Sequence, residues 1–266
     1  MSKKLSVLNF LSVILVIAVN YFAQAGRFNN NTIASLSKEF DNLFTPAGYA
    51  FSIWGIIFIS LLFYAGFQLY KTFSSDFDSG HILKTGYWFM IANLANSLWV
   101  IVWLYEYTFF SVIVMFVILG SLLKIVLNTN MERWDAPLKI IAFTWWPICL
   151  YSGWITVASI ANVAAYLSKI GWDGWIFSEN QWTVIMIVIA VIVNLLMIYK
   201  RNMREFALVG VWALIAIYMR HENGNQLIAY TAIGGAILLV AYISYHGFVN
   251  RKTNPIHKLL NSKANI

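Results

Sequence analysis

Charged residues are scarce in this sequence, and it holds a single cysteine. Only 11% of its 266 residues are charged and 60% are hydrophobic, which leaves too little polar surface for a soluble globular protein of this size. The cysteine, Cys149, lies inside an apolar run, so the sequence predicts no disulfide framework and no metal-binding cluster. The composition is that of an integral membrane protein.

Carboxylates are missing from the interior of the apolar stretches. All eleven acidic residues fall in predicted loops or at predicted helix ends. Proton- or sodium-coupled transporters usually carry ionisable groups near the bilayer midplane, so the pattern disfavours a coupled pump. A glycine-rich phosphate loop, paired catalytic carboxylates and a nucleophile constellation are also missing. We therefore predict no catalytic residue and favour a binding role over an enzymatic one.

What the sequence does contain is a series of apolar stretches of about 20 residues, the length that a helix needs to cross the hydrocarbon core. We predict eight membrane-spanning helices, the seventh being the shortest, at 5–24, 47–70, 86–103, 109–127, 140–167, 182–199, 206–219 and 227–248. The first could instead be a cleavable signal peptide, because Ala23, Gln24 and Ala25 fit its small-residue cleavage pattern. Cleavage there would leave seven spans.

The positive charge is distributed unevenly between the predicted loops. With the N-terminus in the cytoplasm, only Arg27, Lys38, Lys169 and Arg220 of the 18 basic residues lie on the far side. This asymmetry follows the positive-inside rule and predicts cytoplasmic N- and C-termini in a membrane that we expect to be bacterial and inner. The net charge of +7 therefore indicates orientation in a lipid bilayer, and no nucleic-acid partner is expected.

The loop after the first span carries apolar residues at helical spacing. Ile33, Leu36, Phe40 and Leu43 recur on one face, which predicts a short amphipathic helix at the membrane surface. Such a helix could cover a site that opens on this side. It could equally be a connector with no gating role.

Polar and aromatic residues share one face of the fifth predicted span. Tyr151, Trp154, Ala158 and Asn162 stack at intervals of three and four residues. This stripe suits the wall of a pocket for a large apolar ligand. The alternative is ordinary packing of one helix against another, which uses the same residue types.

Two further segments carry related features. The second span begins with Pro46, Tyr49 and, after a short interval, Trp54. In the third span Asn96 and Trp99 are three residues apart and share a face. An amide buried in the membrane needs a partner, which can be another helix, a ligand or water.

These three segments together resemble the TspO/MBR family of tryptophan-rich sensory proteins. The family has a proline- and tryptophan-rich signature at the start of its second helix, an Asn-x-x-Trp pair in the third, and a Tyr-x-x-Trp run followed by Asn in the fifth. This chain keeps both fifth-helix intervals. It departs from the family where Tyr49 replaces a tryptophan, where the second signature proline is missing, and where Pro147 stands three residues early.

The resemblance implies a five-helix bundle, here at 1–168. It offers no counterpart for the rest of the chain, where the apolar stretches predict about three additional transmembrane helices at 169–250 and the charge pattern predicts a basic cytoplasmic tail at 251–266. It further implies a pocket that binds porphyrin, haem or a similar apolar small molecule, and a possible homodimer. The ligand-binding residues carried over are Pro46, Tyr49, Trp54, Asn96, Trp99, Tyr151, Trp154, Ala158 and Asn162. A facilitative transporter or channel for a small neutral or apolar solute is the alternative function.

Overall fold

The computed structural model describes residues 1–74 and 80–251, and within these ranges the ordered elements are helices. Eight of them are long: α1 Ser2–Gln24, α3 Ile53–Phe73, α5 Trp88–Leu104, α6 Thr108–Asn128, α8 Trp146–Lys169, α9 Glu179–Arg201, α10 Arg204–His221 and α11 Gln226–Val249. Each coincides with one predicted span, so the all-α prediction is confirmed. Of the predicted tail, only Arg251 lies within the described residues.

Shorter elements connect the long helices. They are α2 Ile33–Glu39, α4 Gly80–Thr85 and α7 Leu138–Ile140. A 3₁₀ turn, Gly48–Ser52, leads into α3, and a π-helical turn, Ile141–Trp145, joins α7 to α8. The helix predicted after the first span is α2, which a reciprocal pair of side-chain bonds between Thr32 and Ser35 caps at its N-terminus.

Six of these helical segments are long and apolar enough to cross a membrane: Ser2–Gln24, Gly48–Phe73, Thr108–Asn128, Leu138–Lys169, Glu179–Arg201 and Gln226–Val249. Helix α5 is apolar but has 17 residues. Helix α10 has 18 residues, and three of them, Arg204, Glu205 and Arg220, are charged. The chain is therefore a multi-pass membrane protein, and α10 is the span that hydropathy identifies least well.

Five helices form a closed ring. In the order α1, α3, α8, α6 and α5, each helix packs against the next, and α5 returns to α1. Polar pairs join α1 to its neighbours: Asn9 donates to Gln68 of α3 at 2.8 Å, and Asn93 of α5 donates to Ser12 at 3.0 Å. These bonds give buried amide and hydroxyl groups the hydrogen-bond partners that lipid could not supply. The ring corresponds to the five-helix core implied by the resemblance.

The remaining three helices attach to the ring through α10. This helix packs against α8 of the ring and against both α9 and α11, and ten of its 18 residues are buried. At its contact with α8, an added Cβ on Gly153 would lie 2.7 Å from the carbonyl oxygen of Phe206. The glycine thus permits a close approach that a larger residue would prevent. Because other helices rather than lipid surround α10, it does not need a strongly apolar sequence.

Hydrogen bonds also join the segments that connect the helices. These bonds fall into two groups, one at each end of the bundle. At one end, Asn202 between α9 and α10 donates to the carbonyl of Glu132 between α6 and α7 at 2.7 Å. At the other end, Asn29 donates to the carbonyl of Leu104 at 3.0 Å, and Lys169 donates to that of Glu106 at 2.6 Å. Eight spans that cross the membrane in alternating directions require their connections to be divided between two ends in this way.

Candidate functional site: a tryptophan-lined pocket in the five-helix ring

A small cavity lies between α3, α5, α6 and α8, beneath α2. We call it the apolar pocket, and it has a volume of about 50 Å³. Its walls are Ile33, Ser37, Thr45, Pro46, Phe51, Trp54, Trp99, Trp103, Met115, Trp154, Val157, Ala158, Ala161, Asn162 and Ala165. Helices that are far apart in the sequence therefore direct aromatic and small residues to one place.

The aromatic walls of the apolar pocket contact one another edge to face. The ring of Trp54 lies 6.4 Å from that of Trp154 at an interplanar angle of 84°, and Phe51 lies 6.1 Å from Trp154 at the same angle. This arrangement aligns the positive edge of one ring with the negative face of the next. Ala158, one turn beyond Trp154, is one of three alanines of α8 in the wall.

Asn162 holds two helices to α8 at the edge of the apolar pocket. Its amide oxygen accepts a hydrogen bond from the indole N–H of Trp99 in α5 at 2.7 Å. Its amide nitrogen donates to the hydroxyl of Ser111 in α6 at 2.8 Å. Both polar ends of Asn162 are therefore used within the protein, and the bond fixes the plane of the Trp99 ring in the wall.

Asn96 and Tyr151 lie behind the wall and do not line the apolar pocket. Asn96 donates to the hydroxyl of Tyr151 at 2.9 Å and accepts from Asn20 of α1 at 3.4 Å. The ring of Tyr151 touches that of Trp54 at 6.0 Å. The polar groups of Asn96 and Tyr151 therefore bond to other helices, and the two residues support the wall of the apolar pocket from outside.

Tyr49 is placed elsewhere. It is 44% exposed and packs edge to face on Trp212 of α10 at 5.3 Å. The structure thus groups Pro46, Trp54, Trp99, Trp154, Ala158 and Asn162 around one cavity, with Asn96 and Tyr151 behind it and Tyr49 outside it.

Trp103 is a pocket residue that sequence reasoning missed. It is 3% exposed, and its ring stacks on that of Trp99 at 5.7 Å and 18°. Its indole N–H is buried without a hydrogen-bond partner among the described residues. The signal was available, because Trp103 follows Trp99 by four residues and so shares its helix face. The apolar pocket therefore offers a buried donor.

Helix α2 and the turn before α3 form the roof of the apolar pocket. Ile33 and Ser37 of α2 and Phe51 of the turn are all part of the lining. Phe51 also lines two larger grooves of about 340 and 390 Å³ on either side of the roof. Phe51 therefore lies where the apolar pocket and both grooves meet.

Helix α10 holds the connection that forms this roof. Arg220 donates to the carbonyl oxygens of Asn42 at 2.9 Å and Thr45 at 2.7 Å and pairs with the carboxylate of Asp41. Further along, Trp212 donates to the carbonyl of Ala50 at 3.1 Å. The helix outside the ring thus holds both the stretch between α2 and the turn and the turn itself.

Comparison with known proteins gives one match. The family model described as TSPO-like protein matches residues 6–245. No curated protein and no solved structure matches the chain. The matched range includes α9, α10 and nearly all of α11. The three sequence segments that carried the family resemblance lie outside these helices and had no counterpart in them.

Proposed function

The chain belongs to the TSPO-like protein family, and we propose that it binds a flat, mostly apolar molecule of the tetrapyrrole class in the apolar pocket. The observation that carries the proposal is the convergence of Trp54, Trp99, Trp103 and Trp154 on one cavity. Flat aromatic walls suit a planar ligand, because offset and edge-on ring contacts add to the gain from apolar burial.

The unpaired N–H of Trp103 supports a ligand that carries a hydrogen-bond acceptor. A buried donor without a partner costs about 1–3 kcal/mol, which an acceptor on the ligand would recover. The carboxylates or carbonyls at the edge of a tetrapyrrole are acceptors of this kind. We therefore place the polar edge of the ligand toward Trp103.

The lining fits a metal-free tetrapyrrole better than haem. Among the described residues that line the apolar pocket there is no histidine and no cysteine, and Met115 supplies a thioether. Haem iron is usually held by a histidine, cysteine or methionine side chain. An apolar site with one thioether accommodates the ring but offers the iron a single weak ligand, so we propose the free porphyrin as ligand.

Binding requires the roof to move. The cavity of about 50 Å³ is smaller than the roughly 300–1,000 Å³ of pockets that hold small molecules. Displacing α2 and rotating Phe51 would join it to the two grooves that Phe51 already borders. We propose that the ligand enters between α2 and α3 by this route.

Titration of the purified protein with protoporphyrin tests the proposal. We expect saturable quenching of tryptophan fluorescence at micromolar porphyrin and a shift of the porphyrin absorption band. Trp154→Ala combined with Asn162→Ala should weaken binding at least ~10-fold, equivalent to about 1.4 kcal/mol. Trp175→Ala is the matched control, because Trp175 is 81% exposed and outside the pocket. Quenching that does not saturate, or that survives the double substitution, would refute the proposal.

Facilitated passage of a small neutral solute is the second candidate, and one observation favours it. Buried polar side chains of α1, α3 and α5 form a seam that includes Asn9, Gln68 and Asn93. The Asn9 oxygen, the Gln68 amide nitrogen and the Asn93 oxygen have no partner within the described part of the chain. Flux of glycerol or urea into proteoliposomes, abolished by Asn9→Leu, would support this function over ligand binding.

We further propose that both termini face the cytoplasm. The end of the bundle that carries Arg27, Lys38, Lys169 and Arg220 would then face away from it, in agreement with the positive-inside rule. The roof of the apolar pocket lies at this end, so the ligand would enter from outside the cytoplasm. Labelling of cysteines introduced at exposed Arg27 and at exposed Lys200 from one side of the membrane would test the orientation.

A further inference from the structure

A second cavity lies at the end of the bundle opposite the apolar pocket. It has a volume of about 240 Å³ and is bordered by the α6–α7 connection, the π-helical turn before α8, the start of α10 and the end of α11. We call it the polar cavity. Its lining includes Glu132, Trp145, Arg204, Glu205 and His246. It is thus built jointly by the ring and by the three added helices.

Three potential metal ligands converge beside the polar cavity. One carboxylate oxygen each of Glu132 and Glu205 and the sulfur of Cys149 lie within 4.8 Å of one another. Cys149 is fully buried beneath the two carboxylates. Within residues 1–74 and 80–251, neither Glu132 nor Glu205 forms an ion pair. The two adjacent carboxylates therefore share the cavity wall with Arg204 but have no cation in direct contact with either of them within the described residues.

A second, independent observation also indicates a ligand. Trp145 is 2% exposed and lines the polar cavity, yet its indole N–H has no partner among the described residues. The same holds for Oε1 of Glu132, Nε of Arg204 and Nδ1 of His246. Buried polar atoms in native structures are nearly always paired, and an unpaired one costs about 1–3 kcal/mol. Four such atoms around one cavity suggest that it has a polar occupant.

We propose that Glu132, Cys149 and Glu205 bind a divalent transition metal ion of the zinc class. A thiolate selects zinc, cobalt or iron(II) over magnesium and calcium, and carboxylates complete the set. Bonds of about 2.0–2.3 Å at tetrahedral angles place ligand atoms roughly 3.3–3.8 Å apart. Side-chain movements on the order of 1 Å would bring the three residues to that geometry.

The charges and the open side of the site agree with this assignment. Two carboxylates and a thiolate carry three negative charges, of which a divalent ion neutralises two and Arg204 on the cavity wall can balance the third. Three protein ligands leave a fourth position, which faces the polar cavity. A water or small anion bound there is an acceptor for the N–H of Trp145. Open zinc sites with three protein ligands have this form.

The assignment differs from the sequence-based prediction of no metal site. The three ligands occur at positions 132, 149 and 205, in three separate elements, so no short motif identifies them. Only the contact between the ring and α10 brings Glu205 to Cys149.

Cobalt titration of the full chain, purified in detergent and freed of metal with a chelator, tests the proposal. We expect one Co²⁺ per chain and a thiolate-to-cobalt absorption band in the near ultraviolet. Cys149 is the sole cysteine of the chain, so such a band can come from no other residue. Cys149→Ser should remove the band, and Glu132→Gln and Glu205→Gln should each weaken Co²⁺ binding at least ~10-fold.

The matched control is Glu179→Gln, which changes an exposed carboxylate at the opposite end of the bundle and should leave Co²⁺ binding unchanged. Zn²⁺ should also raise the unfolding temperature of the wild type and of Glu179→Gln. This readout keeps the test valid if a site variant folds poorly. Absence of the thiolate band in the wild type, or no rise of its unfolding temperature with Zn²⁺, would overturn the proposal.

Discussion

Trp99 and Asn162, 63 residues apart in the chain, are joined by a hydrogen bond of 2.7 Å between the indole N–H and the amide oxygen. The bond links α5 to α8 and also places both side chains in the wall of the apolar pocket. Packing and pocket formation were alternative explanations of the fifth-helix stripe. For Asn162 both explanations hold at once, because the hydrogen bond that joins the two helices also orients the side chains in the pocket wall.

Asn162→Leu should destabilise the bundle. The substitution keeps most of the volume but leaves the N–H of Trp99 and the hydroxyl of Ser111 without the partners they have now. We expect a loss of about 1–2 kcal/mol in the free energy of unfolding, measured by denaturant titration in detergent. Asn128→Leu is the control, since its amide is exposed and makes one long bond of 3.3 Å. Equal effects of the two substitutions would contradict this assignment.

Trp103→Phe should weaken porphyrin binding. The change removes an N–H that has no partner within the described residues, so folding loses no hydrogen bond. A ligand that accepts from this N–H would lose about 0.5–1.5 kcal/mol, or roughly 2- to 12-fold in affinity. Isothermal titration of Trp103→Phe against Trp134→Phe, which lies outside the apolar pocket, measures the difference. Unchanged affinity would mean that the ligand edge does not face Trp103.

Arg220→Ala should loosen the roof of the apolar pocket. Arg220 donates to two carbonyl oxygens of the connection at 2.7 and 2.9 Å and pairs with Asp41. Without these bonds we expect amide hydrogen exchange at 40–52 to accelerate about 5- to 150-fold, because local opening becomes about 1–3 kcal/mol easier. Arg27→Ala, at an exposed site in the same connection, should leave exchange unaltered. If both variants exchange alike, α10 does not hold the roof.

Gly153→Ala should disturb the junction between the ring and α10. The new Cβ would lie 2.7 Å from the carbonyl oxygen of Phe206 and 3.1 Å from the side chain of Val209, and a backbone atom cannot rotate away. We expect a cost of about 1–3 kcal/mol, visible as a lower unfolding temperature. At Gly120, also in a long helix, an added Cβ meets nothing within 4 Å. Gly120→Ala should therefore be neutral or slightly stabilising.

The stability of the metal-free protein should fall as the pH rises above about 4.5. Burial, with a smaller contribution from Glu205, raises the pKa of the Glu132 carboxyl to about 8, while Arg204 opposes the shift. The unfolded chain, with the ordinary pKa of 4.5, loses this proton first. The stabilisation is therefore complete below pH 4.5 and is lost as the pH approaches 8.

Thermal unfolding in the presence of chelator, followed from pH 5 to pH 8, measures this dependence. Glu132→Gln should flatten it, because an amide does not titrate. Glu179→Gln, at an exposed carboxylate, should retain it. A wild-type profile with the same slope as that of Glu132→Gln would contradict the assignment.

The long helices could be predicted from the sequence because each is an apolar run with polar ends. Even α10 was found, as the shortest predicted span at 206–219, and the charged residues Arg204, Glu205 and Arg220 lie in the helix just beyond those bounds. The amphipathic α2 followed from the spacing of Ile33 and Leu36, both of which are buried. These features are local, so periodicity and composition suffice to identify them.

The candidate site could be predicted only in part. Residues on one helix face, such as Trp154, Ala158 and Asn162, were grouped correctly around the cavity, because helical spacing fixes their direction. Whether they bind a ligand stays a prediction. Tyr49 was grouped by its place in a motif, but the 3₁₀ turn directs it toward Trp212. The bonds from Arg220 to the roof, and the approach of Glu132 and Glu205 to Cys149, are contacts between distant segments of the chain. Patterns within a single sequence do not reveal such contacts.

The burial of α10 among other helices has a consequence for how the protein is made. Although α10 packs against α8 of the ring, it leaves the ribosome after all five helices of the ring. Since Arg220 and Trp212 belong to α10, the segment above the tryptophans gains these bonds only after the whole ring has been synthesised.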